Sequence, residues 1–110
     1  MDIKPRILKK YVRPSGKCPY DEWFEALRDL KAKAVIDARL IRVRRGNFGN
    51  ARSVGDGVIE LKIPYGPGYR VYFAEVDDEI VVLLFGGDKG SQNRDIQKAK
   101  EFWQEYKSRR

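Results

Sequence analysis

Alternating apolar and polar residues predict three neighbouring β-strands in the second half of the chain. In VIELKI, residues 58–63, Glu60 and Lys62 alternate with apolar side chains, which is the two-residue period of a half-buried strand. YRVYFAEV at residues 69–76 has the same period, and EIVVLLFG at residues 79–86 is apolar almost throughout, as expected of a strand covered on both faces. The turn formers between these segments, PYGPG and an Asp-Asp pair, indicate an antiparallel meander.

The first half of the chain predicts one strand followed by two helices. Ile3 to Val12 has a strand pattern that ends at Pro14, and its two adjacent lysines suit an exposed edge. From Pro19 the period changes to that of a helix, and a second helix follows that ends near Gly46. The predicted core-facing residues are Trp23, Leu27 and Leu30 in the first helix and Ile36, Leu40 and Val43 in the second.

A segment rich in glycine and asparagine, GNFGNARSVGDG at residues 46–57, predicts a mobile surface loop before the meander. After the meander, Ser91 is predicted to cap a last helix with an apolar stripe. The stripe consists of Ile96, Ala99, Trp103 and Tyr106. The predicted fold is therefore α+β, a single domain of residues 1–110 with an antiparallel β-sheet in β-α-α-β-β-β order and a C-terminal helix.

The composition predicts a small protein of the cytoplasm. A chain of 110 residues with 42% apolar content supports one core. The sequence contains no apolar run of about eighteen residues and no apolar stretch of the kind that a secretory signal requires, so we expect neither secretion nor a membrane partner. A single cysteine and the absence of histidine exclude a disulfide framework and a Cys–His zinc site, and we expect no metal and no cofactor.

Positive charge is concentrated in one part of the chain. The sequence has 23 Lys and Arg against 16 Asp and Glu, and this net charge of +7 favours a polyanionic partner, nucleic acid above all, or an acidic protein. No acidic residue lies between Asp37 and Asp56, a window that includes Arg42, Arg45 and Arg52. These three arginines are therefore candidate RNA-binding residues, and a solvated helix face is the alternative explanation.

The charged residues of the meander suit the cleavage of RNA by its own 2′-hydroxyl. That reaction needs a proton acceptor, a proton donor to the leaving 5′-oxygen, and cations around the phosphorus. Arginine suits the cation role, and either a lysine or a carboxylate can accept the proton. Glu60 and Lys62 share a strand face, so both assignments stay open. Tyr72 shares a strand face with Arg70 and either stacks on a base or packs in the core. For the charged residues, cross-strand ion pairs are the alternative explanation.

Three long segments together resemble one known family. They are PYDEWFEALRDLKAKAVIDARLIRVRRGNFG, ELKIPYGPGYRVYF and VVLLFGGDKGSQNRDIQKA. Over residues 3–105 the chain resembles the RelE/ParE superfamily of toxin–antitoxin toxins and, within it, the HigB-like, phage-derived addiction module killer protein group. The resemblance implies a RelE-like fold, with two N-terminal helices packed on one face of the antiparallel sheet.

The resemblance also implies roles for single residues. Arg70 in GYRVYF resembles the arginine that contacts the scissile phosphate, and Lys62 resembles a basic position of the ribosome-dependent nucleases. Lys89 resembles a second cation of the family, and Gln92 is a candidate contact to RNA. Glu60 departs from the two-lysine pattern of RelE, and is either a general base or an ion-pair partner of Arg70 or Lys62.

The function implied by the resemblance is that of the toxin in a type II toxin–antitoxin system. RelE- and HigB-like members cut messenger RNA on the ribosome without a metal ion and so inhibit translation, and a cognate antitoxin from an adjacent gene blocks them. ParE-like members share the fold and inhibit DNA gyrase without nuclease activity. A basic RNA-binding module without toxicity is the third class that the sequence leaves open.

Overall fold

The computed structural model describes residues 4–109, which form five strands and three α-helices. The strands are β1 (Ile7–Lys10), β2 (Ala51–Gly55), β3 (Val58–Ile63), β4 (Tyr69–Val76) and β5 (Ile80–Gly87). The helices are α1 (Pro19–Ala26), α2 (Leu30–Arg44) and α3 (Gln92–Ser108), and a 3-10 turn, Lys89–Ser91, leads into α3. The fold is α+β, as the sequence predicts.

The strands form one mixed sheet in the order β1-β5-β4-β3-β2. The strands from β2 to β5 pair antiparallel, so the predicted meander is confirmed. β1 instead runs parallel to β5, and the prediction of a purely antiparallel sheet is wrong. A parallel pair requires a long crossover connection, which the two helices and three strands between β1 and β5 provide. The alternation within β1 contains no information about the direction of its neighbour.

The predicted mobile loop at residues 46–57 contains β2, so the loop prediction and the predicted element order are both wrong. β2 pairs antiparallel with β3, with a bulge between Ser53 and Gly55. Asp56 and Gly57 make the turn into β3 with positive φ angles of 56° and 84°, as a tight hairpin requires. Gly55 and Gly57 thus belong to a bulge and a turn. The strand itself forms because β2 pairs with β3, and this pairing leaves no pattern in the local sequence.

The boundary between the first two helices differs from the prediction. The Asp29 side chain accepts hydrogen bonds from two backbone N–H groups of the first turn of α2, at 3.0 and 3.2 Å, and so fixes the start of α2 at Leu30. Leu30 is 78% exposed, and its predicted place on the core-facing side of the first helix is wrong. The predicted core face of α2 is confirmed, because Ile36, Leu40 and Val43 are buried.

Helices cover both faces of the sheet. α1 and α2 pack against one face, whose buried strand residues are Leu61, Ile63, Tyr69, Val71, Phe73, Val81 and Leu83. α3 packs against the other face, whose buried strand residues include Val58, Tyr72, Ala74, Val82 and Leu84. The predicted stripe of α3 is confirmed, since Ala99 and Trp103 are buried there and Ile96 and Tyr106 pack against them. β5 therefore has a covered face on each side, as predicted.

β1 lies at one edge of the sheet, where its two lysines are exposed as predicted. The predicted strand begins earlier, at Ile3, which lies outside the described residues. Among residues 4–109, no helix combines the length and the apolar character that crossing a membrane requires.

Candidate functional site

A row of polar side chains crosses three strands on the face that α3 covers. The strand register sets Arg52 of β2 opposite Glu60 of β3, and Glu60 opposite Tyr72 of β4. The Glu60 side chain is 1% exposed and accepts three hydrogen bonds. The donors are Arg52 Nε at 2.9 Å, the Tyr72 hydroxyl at 3.1 Å and Gln92 Nε2 at 2.9 Å. One carboxylate thus connects β2, β4 and the first residue of α3.

The hydrogen bonds decide the charge of Glu60. Burial acts to raise the pKa of Glu60, but the hydrogen bonds from Gln92, Arg52 and Tyr72 outweigh it and hold the pKa below its usual value. Burial and the neighbouring Glu60 carboxylate raise the pKa of Tyr72, so its hydroxyl keeps its proton and donates a hydrogen bond to Glu60. Glu60 is therefore an ionised carboxylate whose oxygens are already occupied, which makes it a poor proton acceptor for a substrate.

A second row, beside the first, is centred on Arg70. Lys62 of β3 and Gly87 of β5 lie opposite Arg70 on its two sides. The Arg70 side chain is only 5% exposed; its Nη1 donates to the Gly68 carbonyl at 2.7 Å, and its Nε lies 3.8 Å from Glu60 Oε2. That Nε has no hydrogen-bond partner among the described residues. Arg70 is thus fixed in direction by the Gly68 carbonyl, and its buried Nε faces the Glu60 carboxylate.

The two glycines at the end of β5 let side chains from both layers approach the sheet. A Cβ on Gly87 would lie 1.8 Å from Asp95 Oδ2 of α3, and one on Gly86 would lie 2.2 Å from the Trp23 ring on the opposite face. Asp95 is buried and accepts a hydrogen bond from the Ser91 hydroxyl. Burial raises the pKa of Asp95 although the bond from Ser91 opposes the shift. The start of α3 therefore lies directly over β5, beside Arg70.

Two exposed lysines border the buried arginine. Lys62 is exposed although it is on the same strand face as the buried Glu60. Lys89 is exposed in the turn before α3. If Gly68 carried a Cβ, that atom would lie 3.1 Å from Arg70 Nη1 and 3.6 Å from Lys89 Cβ. Gly68, whose φ is 82°, lets these two cationic residues come together.

The charges of this cluster favour an anion. Its four cationic residues and two carboxylates leave an excess of two positive charges. The cations are Arg52, Lys62, Arg70 and Lys89, and the carboxylates are Glu60 and Asp95. A planar guanidinium beside flexible ammonium groups is an arrangement that holds phosphate oxygens.

The predicted RNA-binding residues lie at three different places. Arg52 and Gln92 join the cluster, but as hydrogen-bond donors to Glu60. Tyr72 is fully buried, so its ring packs in the core rather than facing a base. Arg42, in α2, and Arg45, its C-cap, belong to the layer on the opposite face of the sheet, away from Arg70.

The sequence analysis missed three residues of the cluster, namely Gly87, Ser91 and Asp95. The sequence does contain a pattern that could have indicated them, a Gly-Gly pair at the end of an apolar strand. Without a Cβ, glycine lets a side chain from another element approach the strand backbone closely. Asp95, an acidic residue in the first turn of α3, is the side chain that approaches Gly87. Ser91, which was predicted as a helix cap, donates its hydroxyl hydrogen bond to Asp95 and makes no side-chain hydrogen bond to a backbone N–H.

No known protein-family profile and no solved structure matches the chain. A protein of Haemophilus influenzae, described as uncharacterized, is 49% identical to it over 86 residues. The matched segment is 78% of this chain and 87% of the relative. At that identity and coverage, the chain belongs to the same family as this Haemophilus influenzae protein.

Proposed function

We propose that the protein is a RelE/ParE superfamily toxin of the HigB-like killer protein group, the toxin component of a type II toxin–antitoxin system. In this proposal it cuts messenger RNA on the ribosome and inhibits translation. The observation that carries the proposal is Arg70, a guanidinium that the Gly68 carbonyl and Glu60 hold in place, with two exposed lysines at its border. The resemblance of the three sequence segments supports it.

The reaction fits this arrangement. The 2′-oxygen of the RNA attacks the adjacent phosphorus, the bond from phosphorus to the 5′-oxygen breaks, and the products are a 2′,3′-cyclic phosphate and a 5′-hydroxyl. Arg70 stabilises the charge that develops on the phosphate oxygens. Because Glu60 is buried and already accepts three hydrogen bonds, we assign proton acceptance to Lys62 and proton donation to Lys89. Glu60 then acts as the ion-pair partner that orients Arg70.

A reconstituted translation system tests the proposal. The wild-type protein should cleave a translated message, with breaks mapped by primer extension, and should leave the same message intact without ribosomes. Arg70→Ala should lower the cleavage rate by about 10²- to 10³-fold, the loss typical of removing one transition-state donor. Arg28→Ala, which removes an exposed arginine between α1 and α2, is the matched control and should keep full activity. An intact message at every wild-type concentration rejects the nuclease.

The same hydrogen bonds favour a second candidate function, a ParE-like inhibitor of DNA gyrase. Glu60 already accepts three hydrogen bonds and the chain has no histidine, so the cluster offers few groups suited to proton transfer. A protein that only binds its target does not need such groups. Gyrase inhibition in a supercoiling assay that survives Arg70→Ala, without RNA cleavage, supports this function. Induced expression without any effect on growth points instead to a basic RNA-binding module without toxicity.

A cognate antitoxin and a cytoplasmic location complete the proposal. The antitoxin is expected from an adjacent gene, and the net charge of +7 favours an acidic partner as well as RNA. Co-expression with the product of the neighbouring gene should yield a stable complex and restore growth. A neighbouring product that neither binds nor restores growth rejects this part of the proposal.

A further inference from the structure

The outer edge of β1 offers unpaired backbone groups. The backbone N–H groups of Ile7 and Tyr11 donate to the carbonyls of Glu79 and Leu83, so these residues face β5. Because successive residues of a strand point their N–H and C=O groups to opposite sides, those of Leu8 and Lys10 point away from the sheet. An incoming strand can hydrogen-bond to both residues.

The open edge has defined ends. The Arg6 N–H, which also points outward, donates to the carbonyl of Arg44, the last residue of α2, at 2.6 Å. At the other end, Arg109 Nη2 donates to the Val12 carbonyl at 2.7 Å. The free edge is therefore short, with room for an extended segment of about four residues at the rise of a strand. Such a length suits the docking of a peptide rather than a new sheet.

A cavity of about 380 Å³ lies beside this edge, between β1 and the helices α1 and α2, and its lining is mostly apolar but includes Lys10, Asp21, Asp37 and Arg44. Its apolar lining residues are Leu8, Tyr20, Phe24, Leu40, Ile41 and Leu83. Tyr20 is 3% exposed, and its hydroxyl has no hydrogen-bond partner among the described residues. Ile41 at the border of the cavity is 47% exposed. The cavity can take an apolar side chain from a segment that pairs with β1.

The charges around the edge indicate what kind of segment fits. Lys9 and Arg44 are exposed, and neither makes an ion pair within residues 4–109. Of the two carboxylates that line the cavity, Asp21 is paired with Lys10, and Asp37 is exposed without an ion pair in the same residues, so two unpaired cations face one unpaired carboxylate. Lysine on an edge strand opposes pairing with a second copy of the same chain. In an antiparallel pair of two β1 strands centred on Lys9, the two Lys9 side chains would lie opposite each other, and their like charges would repel. The same lysine attracts carboxylates. The edge is thus complementary to an acidic strand.

We propose that β1 and its neighbouring cavity bind an extended, acidic segment of a partner protein by strand addition. The segment pairs with the backbone of Leu8 and Lys10, places one apolar side chain in the cavity, and directs its acidic residues to Lys9 and Arg44. This surface is at the edge of the sheet farthest from β2 and does not involve Arg70. The inference therefore stands independently of the proposed nuclease activity.

Binding of defined peptides to the whole chain tests the proposal. The probe is a library of fluorescent octapeptides with glutamate at both ends and Val, Ile, Leu, Thr or Phe at the four central positions. The library is selected on the wild-type protein, and a second library with lysine at both ends is selected in parallel. Peptides from the acidic library should be enriched, and fluorescence anisotropy then measures their affinity for the variants.

Two matched pairs of variants locate the contact. Lys10→Pro removes the outward N–H while Lys10→Ala keeps it, and binding to the proline variant should be at least about tenfold weaker than to the alanine variant. Ile41→Asp places a charge at the border of the cavity and should weaken binding by a similar factor. Leu30→Asp, at an exposed position of the same helix that does not line the cavity, should leave binding unchanged.

Several results overturn the inference. They are enrichment from neither library, preferential enrichment of the lysine-ended peptides, and equal affinity for the proline and alanine variants. Concentration-dependent dimerisation of the peptide-free protein that Lys10→Pro abolishes would assign the edge to a second copy of the chain. Circular dichroism confirms that each variant remains folded.

Discussion

The two faces of the sheet are built from the same strands but with different chemistry. Toward α1 and α2, the strands bury hydrophobic side chains, such as Leu61 on β3, and none of the buried charged residues among residues 4–109 lies there. Toward α3, the same strands bury Glu60 and Arg70, and α3 adds Asp95. Burying charges is costly unless each is paired, and hydrocarbon of similar volume often stabilises a protein as well or better. The difference indicates that the charged cluster is retained for a reason other than stability.

Truncation of neighbouring residues on β3 gives the largest expected effects and compares the two faces directly. Glu60→Ala removes the partner of the buried Arg70 and should lower the free energy of unfolding by about 3–5 kcal/mol. Leu61→Ala leaves a cavity on the other face and should cost about 2–5 kcal/mol. Urea unfolding at neutral pH measures both values.

A double variant separates these two mechanisms. Adding Arg70→Ala to Glu60→Ala removes the unpaired charge, so the double variant should be less destabilised than the sum of the two single variants. Adding Arg70→Ala to Leu61→Ala should give additive losses. Additive losses in both cases would mean that Glu60 and Arg70 are not coupled, and the comparison of the two faces would fail.

Replacement of the buried charges by hydrocarbon tests why they are retained. Glu60→Leu together with Arg70→Met and with Tyr72→Phe, so that no buried tyrosine hydroxyl loses its acceptor, should leave stability unchanged or raise it by about 1–4 kcal/mol, as in other buried ion pairs exchanged for apolar residues. Cleavage of a translated message should be lost. Thermal unfolding and the translation assay measure the two properties on the same sample. A stable variant that still cleaves would show that the cluster is not the active site.

The sequence predicts which face a strand residue is on, but not how deeply it is buried. Alternation correctly groups Glu60 with Lys62, yet one is 1% exposed and the other is exposed. The difference arises because the start of α3 covers Glu60, where Gln92 reaches its carboxylate, and this is a long-range contact. β2 and the parallel partner of β1 were missed for the same reason, since both depend on pairing between distant segments. Arg70 is proposed as a site residue through its motif, and the sequence did not predict its burial.

Removal of single tyrosine hydroxyls compares the two faces at a finer scale. Tyr72→Phe deletes a hydrogen bond to the ionised Glu60 and should cost about 1.5–3 kcal/mol. Tyr20→Phe deletes a buried hydroxyl that has no partner among the described residues, and should stabilise the protein by about 1 kcal/mol. Urea unfolding measures both changes in the free energy of unfolding, from the shift of the midpoint at an unchanged m-value. A loss of stability in both variants would mean that the Tyr20 hydroxyl has a partner in solution.

The smallest expected effect is on the pH dependence of stability, where the two buried carboxylates of the α3 face should act with opposite signs. The pKa of Glu60 is lowered, so its ionised form stabilises the fold above the ordinary glutamate pKa of about 4.3, and this contribution is lost as the pH falls through the folded-state pKa. The advantage of the wild-type protein over Glu60→Gln should therefore shrink on acidification.

Asp95 should show the reverse behaviour, because burial raises its pKa and ionisation at neutral pH is penalised in the folded state. Asp95→Asn should be more stable than the wild-type protein at neutral pH, and this advantage should vanish as the pH falls and the carboxyl group takes up its proton. Leu61→Ala, on the apolar face, should keep the wild-type pH dependence. Urea midpoints between pH 7 and about pH 3 measure all three curves. Equal signs for the two carboxylate variants would show that Asp95 is stabilised in its ionised form, as Glu60 is.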